Sequence, residues 1–330
     1  MAEIKYLDLA GLTAYDAKIK AWHQKHLGVI SDDEILALFA TEDGYTLIAL
    51  KKVDISNISY EEVDLGLSVK WANKNIGSQT EEDYGTYFSW GNTDGYTVSG
   101  TKFLTVDDAC QLFSSVISHT VTTKEELENM LNQMGLTIDN LGTVDGYSFD
   151  ENTYNTTSGA EFTGGVLDSA HDAATSNMRD SWRIPTIDEY KDLVNSVKTS
   201  VDDTTNPLTC TYIYLDKQGN RTEHIVYREN STDSFSVSGL NDDNGEMLFS
   251  KILGIKFTNT STGTSVYFPA CGGVVGSGLA GIGFNGYYWS SSMYDTTNAR
   301  NFYFGSSYVG ADYRFSRSFG LCVRAVKPVK

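Results

Sequence analysis

The chain has 330 residues, 40% hydrophobic, 21% charged and 12% aromatic, which is enough for one large core or for two domains. Its 43 acidic against 25 basic residues give a formal charge of −18, a surface that repels phosphate and argues against nucleic acid and anionic membranes as partners. No apolar run approaches the roughly 18–20 residues of a bilayer crossing, and residues 1–12 lack a basic stretch followed by an apolar one, so no secretion signal is expected.

Residues 1–55 read as a separate attachment or oligomerisation segment. Leu12, Tyr15, Ile19, Trp22 and His26 recur at helical spacing, and Gly28 ends that helix. Ser31 and Glu34 have capping-box spacing ahead of Ile35, Leu36, Ala37, Leu38 and Phe39, which predicts a second helix. A turn at Glu42-Asp43-Gly44 leads to a short strand over Thr46–Leu50. The apolar stripe of the first helix needs a partner: sister subunits, a larger assembly or the rest of the chain.

From Tyr60 onward tryptophan, glycine and short strand-like runs dominate. Residues 97–165 read as an insertion, with a helix capped at Thr123 and carrying Leu127, Met130, Leu131 and Met134, followed by a polar loop. Thr186 and Glu189 form a capping box for a helix whose buried stripe is Ile187, Tyr190, Leu193 and Val194. Residues 200–250 alternate strand-like runs with polar turns, and beyond 250 the pattern is strand, glycine turn and loop. The order is α+β, with little sign of βαβ units.

Cys110, Cys210, Cys271 and Cys322 contain no close pair, so no zinc site is expected; a Cys271–Cys322 disulfide is open, but their apolar, small-residue surroundings favour buried thiols. His23 and His26 lack further ligands nearby. The run Gly276-Ser277-Gly278-Leu279-Ala280-Gly281 fits a dinucleotide fingerprint, but the glycine-broken sequence after it makes a poor helix. No cofactor and no metal are expected.

The window Phe284–Phe319 stands apart. It holds six tyrosines, seven serines, three asparagines and three glycines, and no Lys, Glu or Gln. Tyrosine supplies a large, stiff, amphipathic contact at little entropic cost, and small polar residues adapt around it, as in antibody-like binding surfaces. Within the window, alternation places Phe302 and Phe304 toward a core and Asn301, Tyr303 and Gly305 outward.

Several segments together resemble a known family. They are Val63-Asp64-Leu65-Gly66-Leu67-Ser68-Val69-Lys70-Trp71-Ala72, Tyr84-Gly85-Thr86-Tyr87-Phe88-Ser89-Trp90-Gly91, Trp182-Arg183-Ile184-Pro185-Thr186, Val266-Tyr267-Phe268-Pro269-Ala270, Gly286-Tyr287-Tyr288-Trp289-Ser290-Ser291-Ser292 and Gly320-Leu321-Cys322-Val323-Arg324. In this order they resemble the Fibrobacter succinogenes major paralogous domain, over roughly residues 60–96 and 180–326. The resemblance implies a C-type lectin-like fold of the formylglycine-generating-enzyme type for residues 56–330, with the helical insertion and the small N-terminal helical segment as additions. It also implies a variable protein of a diversity-generating retroelement, from a gut phage or a Bacteroidetes prophage. In such systems adenines near the 3′ end of the gene are rewritten. An AAC codon so altered gives Tyr, Asp, Ser, Gly, Arg, Phe, Thr, Ala or His, among others, but never Lys, Glu, Gln, Met or Trp, and the window obeys this except at Trp289 and Met293.

Carried over by position, the variable region covers about residues 285–324. Its fixed scaffold would be Tyr288 to Ser292, Ala299, Phe302, Phe304, Val309, Arg317, Gly320, Val323 and Arg324. The exposed, ligand-binding positions would be Tyr294, Asp295, Asn301, Tyr303, Gly305, Tyr308, Gly310, Asp312, Tyr313, Arg314, Phe315, Ser316 and Phe319. Residues 5–16 also resemble the start of structural proteins of gut phages. The expected function is host attachment at a phage tail tip, binding a host cell-surface protein or glycan, with virion tail proteins or sister subunits held through residues 1–55. The alternatives are a bacterial cell-surface adhesion domain and an enzyme of the formylglycine-generating type. The enzyme would need a reactive thiol pair, for which only Cys271 and Cys322 qualify; the expectation is no enzyme.

Overall fold

The computed structural model describes residues 34–41, 44–51, 54–116, 120–133, 165–178, 180–228, 232–242, 244–275 and 278–329. In chain order the first elements are β1 (Glu34–Thr41), β2 (Gly44–Lys51), β3 (Glu62–Val63), β4 (Val69–Ala72), β5 (Thr86–Phe88) and β6 (Tyr96–Thr105). Helices α1 (Val106–Val116), α2 (Lys124–Gln133), α3 (Ala173–Asn177) and α4 (Ile187–Asn195) follow. The remainder is strand: β7 (Leu208–Asp216), β8 (Arg221–Val226), β9 (Ser234–Ser236), β10 (Phe249–Asn259), β11 (Ser265–Pro269), β12 (Cys271–Val275) and β13 (Gly278–Ile282). The last are β14 (Gly286–Met293), β15 (Asn298–Phe304), β16 (Tyr308–Ser316), β17 (Leu321–Cys322) and β18 (Val326–Pro328). This is a mixed α+β chain made largely of sheet, organised as two compact units.

The described part of the smaller unit lies within residues 34–51, 96–133 and 275–280. β1 and β2 form an antiparallel hairpin, and β2 pairs in turn with β6. Residues on both sides of position 55 therefore share one sheet. The helix expected over Ile35–Phe39 is a strand instead. An unbroken apolar run carries no period that separates helix from strand, and here the run pairs along its whole length with β2. The helix expected after Thr123 is present as α2: the Thr123 hydroxyl accepts from the Glu126 amide at 3.1 Å, while the Glu126 carboxylate accepts from the Thr122 amide at 3.0 Å. β6 and α1 went unrecognised in the sequence. The helix expected over Leu12–His26, with His23 and His26, lies outside the described residues.

The larger unit lies within residues 54–95, 165–274 and 281–329. Its main sheet runs β5-β17-β14-β15-β16-β9, antiparallel except where β17 runs parallel to β14. A four-stranded antiparallel sheet, β11-β10-β7-β8, and the small β18-β4-β3 sheet complete it. α4 starts with the expected capping box: the Thr186 hydroxyl and the Glu189 carboxylate each accept from the other residue's backbone amide. Its stripe of Ile187, Tyr190, Leu193 and Val194 is buried. Tyr190 stacks flat on Phe302 at 5.1 Å and tilts against Trp71 at 5.4 Å, which joins helix, main sheet and small sheet in one core.

Two reciprocal bonds tie β14 to β5 and the residues just after it. The Trp90 indole donates to the Ser290 carbonyl and the Trp289 indole to the Phe88 carbonyl, each at 2.7 Å. Arg324 is fully buried. Its guanidinium donates to Asn75 Oδ1 at 2.9 Å, the Ala72 carbonyl at 3.0 Å and the Tyr267 carbonyl at 2.6 Å, and lies over the Phe268 ring. A buried cation so thoroughly bonded locks three distant chain segments together. All four cysteines are free and buried.

Candidate ligand-binding surface

Strand alternation sorts the β14–β16 side chains into two faces. Tyr288, Phe302 and Phe304 point toward α4 and the four-stranded sheet, where Phe268 meets Tyr288 at 5.1 Å and Phe302 at 5.4 Å. The opposite face carries a continuous path of rings. Tyr287 stacks on Tyr303 at 5.0 Å, Tyr303 meets Tyr313 at 5.1 Å, and Tyr313, Phe315 and Phe319 continue at 5.5 and 5.3 Å. Tyr308 joins Tyr303 at 6.2 Å. Met293, Tyr287, Phe315 and Phe319 also pack on a core that includes Trp289, Ala299 and Trp90, so the path is the outer margin of a packed layer rather than a set of loose rings.

Beside this path lies a charged cluster. Arg300 and Arg314 are cross-strand partners, an arrangement of like charges that is ordinarily unfavourable. Both guanidiniums sit over the Tyr294 ring, 5.0 and 4.5 Å from its centroid, and Arg314 also donates to the Tyr294 hydroxyl. Arg300 pairs with one oxygen of Asp312, whose other oxygen lies 3.6 Å from Lys191. Among the described residues no carboxylate pairs with Arg314. Tyr294, Arg300, Asp312, Tyr313, Arg314 and Phe315 line an open cleft of about 500 Å³.

The turn that presents Tyr294 is built by Asp295. Its carboxylate accepts from the backbone amides of Thr297 at 2.8 Å and Asn298 at 2.7 Å. The Thr297 amide first, and then the Asn298 side chain, pull the Asp295 pKa down to about 2. Arg317, buried over the Trp90 ring at 4.7 Å, donates to the Asp295 carbonyl and fixes the turn to the core. Tyr303 donates to Asn285 Oδ1 at 3.2 Å; burial, and then the neighbouring Tyr313, raise the Tyr303 pKa.

Of the expected ligand-binding positions, Tyr294, Asp312, Tyr313 and Arg314 are exposed. Asp295, Tyr303, Tyr308, Phe315, Ser316 and Phe319 are half-buried at the surface. Asn301, Gly305 and Gly310 are buried, which corrects the outward placement expected for them. Each lies under a tyrosine-rich layer. Asn301 sits between Trp289 and Tyr313 in the strand register. A Cβ on Gly305 would fall 2.4 Å from the Tyr303 hydroxyl, and one on Gly310 2.4 Å from the Tyr308 ring. Alternation alone does not reveal that neighbouring rings fold over a position. Neither amide atom of Asn301 has a hydrogen-bond partner within the protein. The scaffold positions Tyr288 to Ser292, Ala299, Phe302, Phe304, Val309, Arg317, Gly320, Val323 and Arg324 are all buried.

Sequence reasoning missed Arg300, Tyr287, Asn285 and Lys191. Arg300 and Asn285 lie inside the compositional window, so its makeup held their signal. Lys191 arrives from α4 and gives none in the sequence. Among the described residues no cluster of His, Cys, Asp and Glu could hold a metal ion, and no helix is long and apolar enough to cross a membrane. Comparison with known proteins adds no relative: no family model, no curated protein and no solved structure matches the chain.

Proposed function

We propose that the larger unit is a C-type lectin-like ligand-binding domain whose β14–β16 surface grips a partner outside the virus or cell, and that this surface is the diversified region of a retroelement-targeted protein. The observation that carries the reading is the division of labour within one short stretch of sequence. Every scaffold position is sealed in the core, while all the expected contact positions except Asn301, Gly305 and Gly310 reach solvent around a single aromatic path and its adjoining cleft. Substitution at the exposed positions Tyr294, Asp312, Tyr313 and Arg314 is expected to change stability by about 0.5 kcal/mol or less each, which leaves that part of the surface free to vary. The family resemblance extends the proposal to host attachment at a phage tail tip, with a bacterial cell-surface adhesin as the second reading.

An enzyme of the formylglycine-generating type is disfavoured by the state of its only candidate thiols. Cys271 and Cys322 are completely buried, which closes both sulfurs to a substrate.

Two experiments test the proposal. The encoding DNA should carry a nearby near-repeat of the codons for about residues 285–324, differing at adenines. Replacing Tyr294, Asp312, Tyr313 and Arg314 together by Ser should leave the thermal transition within a few degrees of the parent while removing adsorption to a panel of gut bacterial cells. Adsorption that is indifferent to the quadruple change would overturn the reading.

A further inference from the structure

We infer that the cleft beside Tyr294 takes a carboxylated sugar, the acid group lying between Arg300 and Arg314 and the ring face on Tyr313. This deepens the binding reading above and rests on it. The first argument is charge. The chain carries −18 overall, yet this cleft is lined by two arginines and one carboxylate. Asp312 divides its oxygens between Arg300 and Lys191, and Lys191 is further engaged by Asp233 at 3.5 Å and Asp188 at 3.8 Å. Arg314 is left with the neutral hydroxyl and the ring of Tyr294.

Two arginines opposite each other across a strand pair are mutually unfavourable, and Asp312 balances Arg300 alone, which leaves Arg314 as the cation open to an anion. A planar carboxylate matches the guanidinium fork in two parallel bonds. The Tyr294 ring lies against both guanidiniums and holds them at the cleft.

The second argument is shape and neighbouring chemistry. A concavity of about 500 Å³ falls in the range of small-ligand sites, whereas a protein partner needs a broad face of roughly 800 Å². Beside the cations stand the exposed Tyr313 ring and the half-buried Phe315 ring, with Asp312 as a hydrogen-bond acceptor. A pyranose acid offers the counterpart of each: an apolar ring face, hydroxyl donors and a carboxylate. An acidic peptide side chain answers only the arginines.

The test uses the full chain and titration calorimetry with trigalacturonate and with 3′-sialyllactose, against the trigalacturonate methyl ester and lactose as neutral counterparts and a glutamate-rich peptide as the competing class. The expected result is binding of at least one acid, at least tenfold weaker binding of its neutral counterpart, and at least a tenfold loss in both Arg314→Gln and Tyr313→Ala. Saturation-transfer NMR should place the sugar ring protons against aromatic protons. Equal binding of neutral and acidic sugars, binding of the peptide alone, or binding of neither acid would each overturn the inference. If neither acid binds while the quadruple surface variant still loses adsorption to cells, the carboxylated-sugar assignment falls and the binding surface stands. If adsorption also survives that variant, the surface itself is wrong.

Discussion

The buried amide of Asn301 yields the sharpest quantitative expectation. Asn301 is fully buried, lies between Trp289 and Tyr313, and finds no protein partner for either its Nδ2 or its Oδ1. A buried polar group left without a partner costs about 1–3 kcal/mol. Leucine has the same branch point and the same number of heavy atoms, and shape-conserving swaps in a core cost under about 1.5 kcal/mol. Taking about 3 kcal/mol as the relief for both amide groups together, Asn301→Leu should stabilise the larger unit by about 1–2 kcal/mol. At roughly 2–4 °C per kcal/mol for a unit of this size, its melting temperature should rise by about 2–8 °C. Differential scanning calorimetry of parent and variant, with far-UV circular dichroism to confirm an unchanged fold, reads the effect directly. Asn301→Ala, which removes the amide but leaves a void, should fall between parent and leucine variant. A leucine variant that melts below the parent would show that the amide is satisfied in solution and would refute the reasoning.

Other expectations follow from the same geometry. Gly305→Ala drives a methyl toward the Tyr303 hydroxyl and Asn285 Oδ1 and should displace both side chains; the double change with Tyr303→Ser should recover part of the lost stability, because the tighter of the two clashes is then gone. Arg324→Met should cost about 3–5 kcal/mol in urea unfolding, since it strips buried carbonyls of Ala72 and Tyr267 of their donor. Thr186→Ala removes the α4 cap and should cost about 1 kcal/mol by the same assay. Asp295 has a folded pKa of about 2, below the ordinary carboxylate value near 3.9. The sign follows: its contribution to the turn is complete above about pH 4 and is lost as pH falls toward 2. Carboxyl NMR of Asp295 should show that depressed midpoint, and Asp295→Asn should abolish the acid-side change at Tyr294.

Much of the larger unit was legible because its signals are local. The Thr186/Glu189 capping box and the spacing of Ile187, Tyr190, Leu193 and Val194 define α4 within one short segment. The alternation of Phe302 and Phe304 fixed the core face of β15, and the peculiar makeup of residues 284–319 located the surface. What stayed hidden depends on partners far away in sequence. Glu34–Thr41 reads as helix until β2 folds against it. Arg300 gains its meaning only from Arg314 across the strand pair and from Asp312, and Lys191 only once α4 lies beside β16. The burial of Asn301, Gly305 and Gly310 comes from rings supplied by neighbours on β14 and β16 or two residues along the chain, which a period-two pattern does not encode.

Those same hidden features sharpen the case for a surface under separate selection from its frame. In the frame, the Trp90 and Trp289 indoles, the Tyr87 and Tyr288 hydroxyls and the Arg324 guanidinium all have backbone partners, while the Trp71 indole and the Tyr190 hydroxyl are buried without a hydrogen-bond partner. In the window, an amide is buried without a partner and two arginines face each other across a ladder. Departures of this kind cost stability, and because the frame also buries unpartnered groups at Trp71 and Tyr190, it is the facing arginines rather than the unpartnered amide that set the window apart. Glycines accommodated only by the present pose of a neighbouring tyrosine fit the same account, since the pair must change together. On the proposed function, the packing of the aromatic frame is what would let the residues above it be chosen for what they hold rather than for how well they pack.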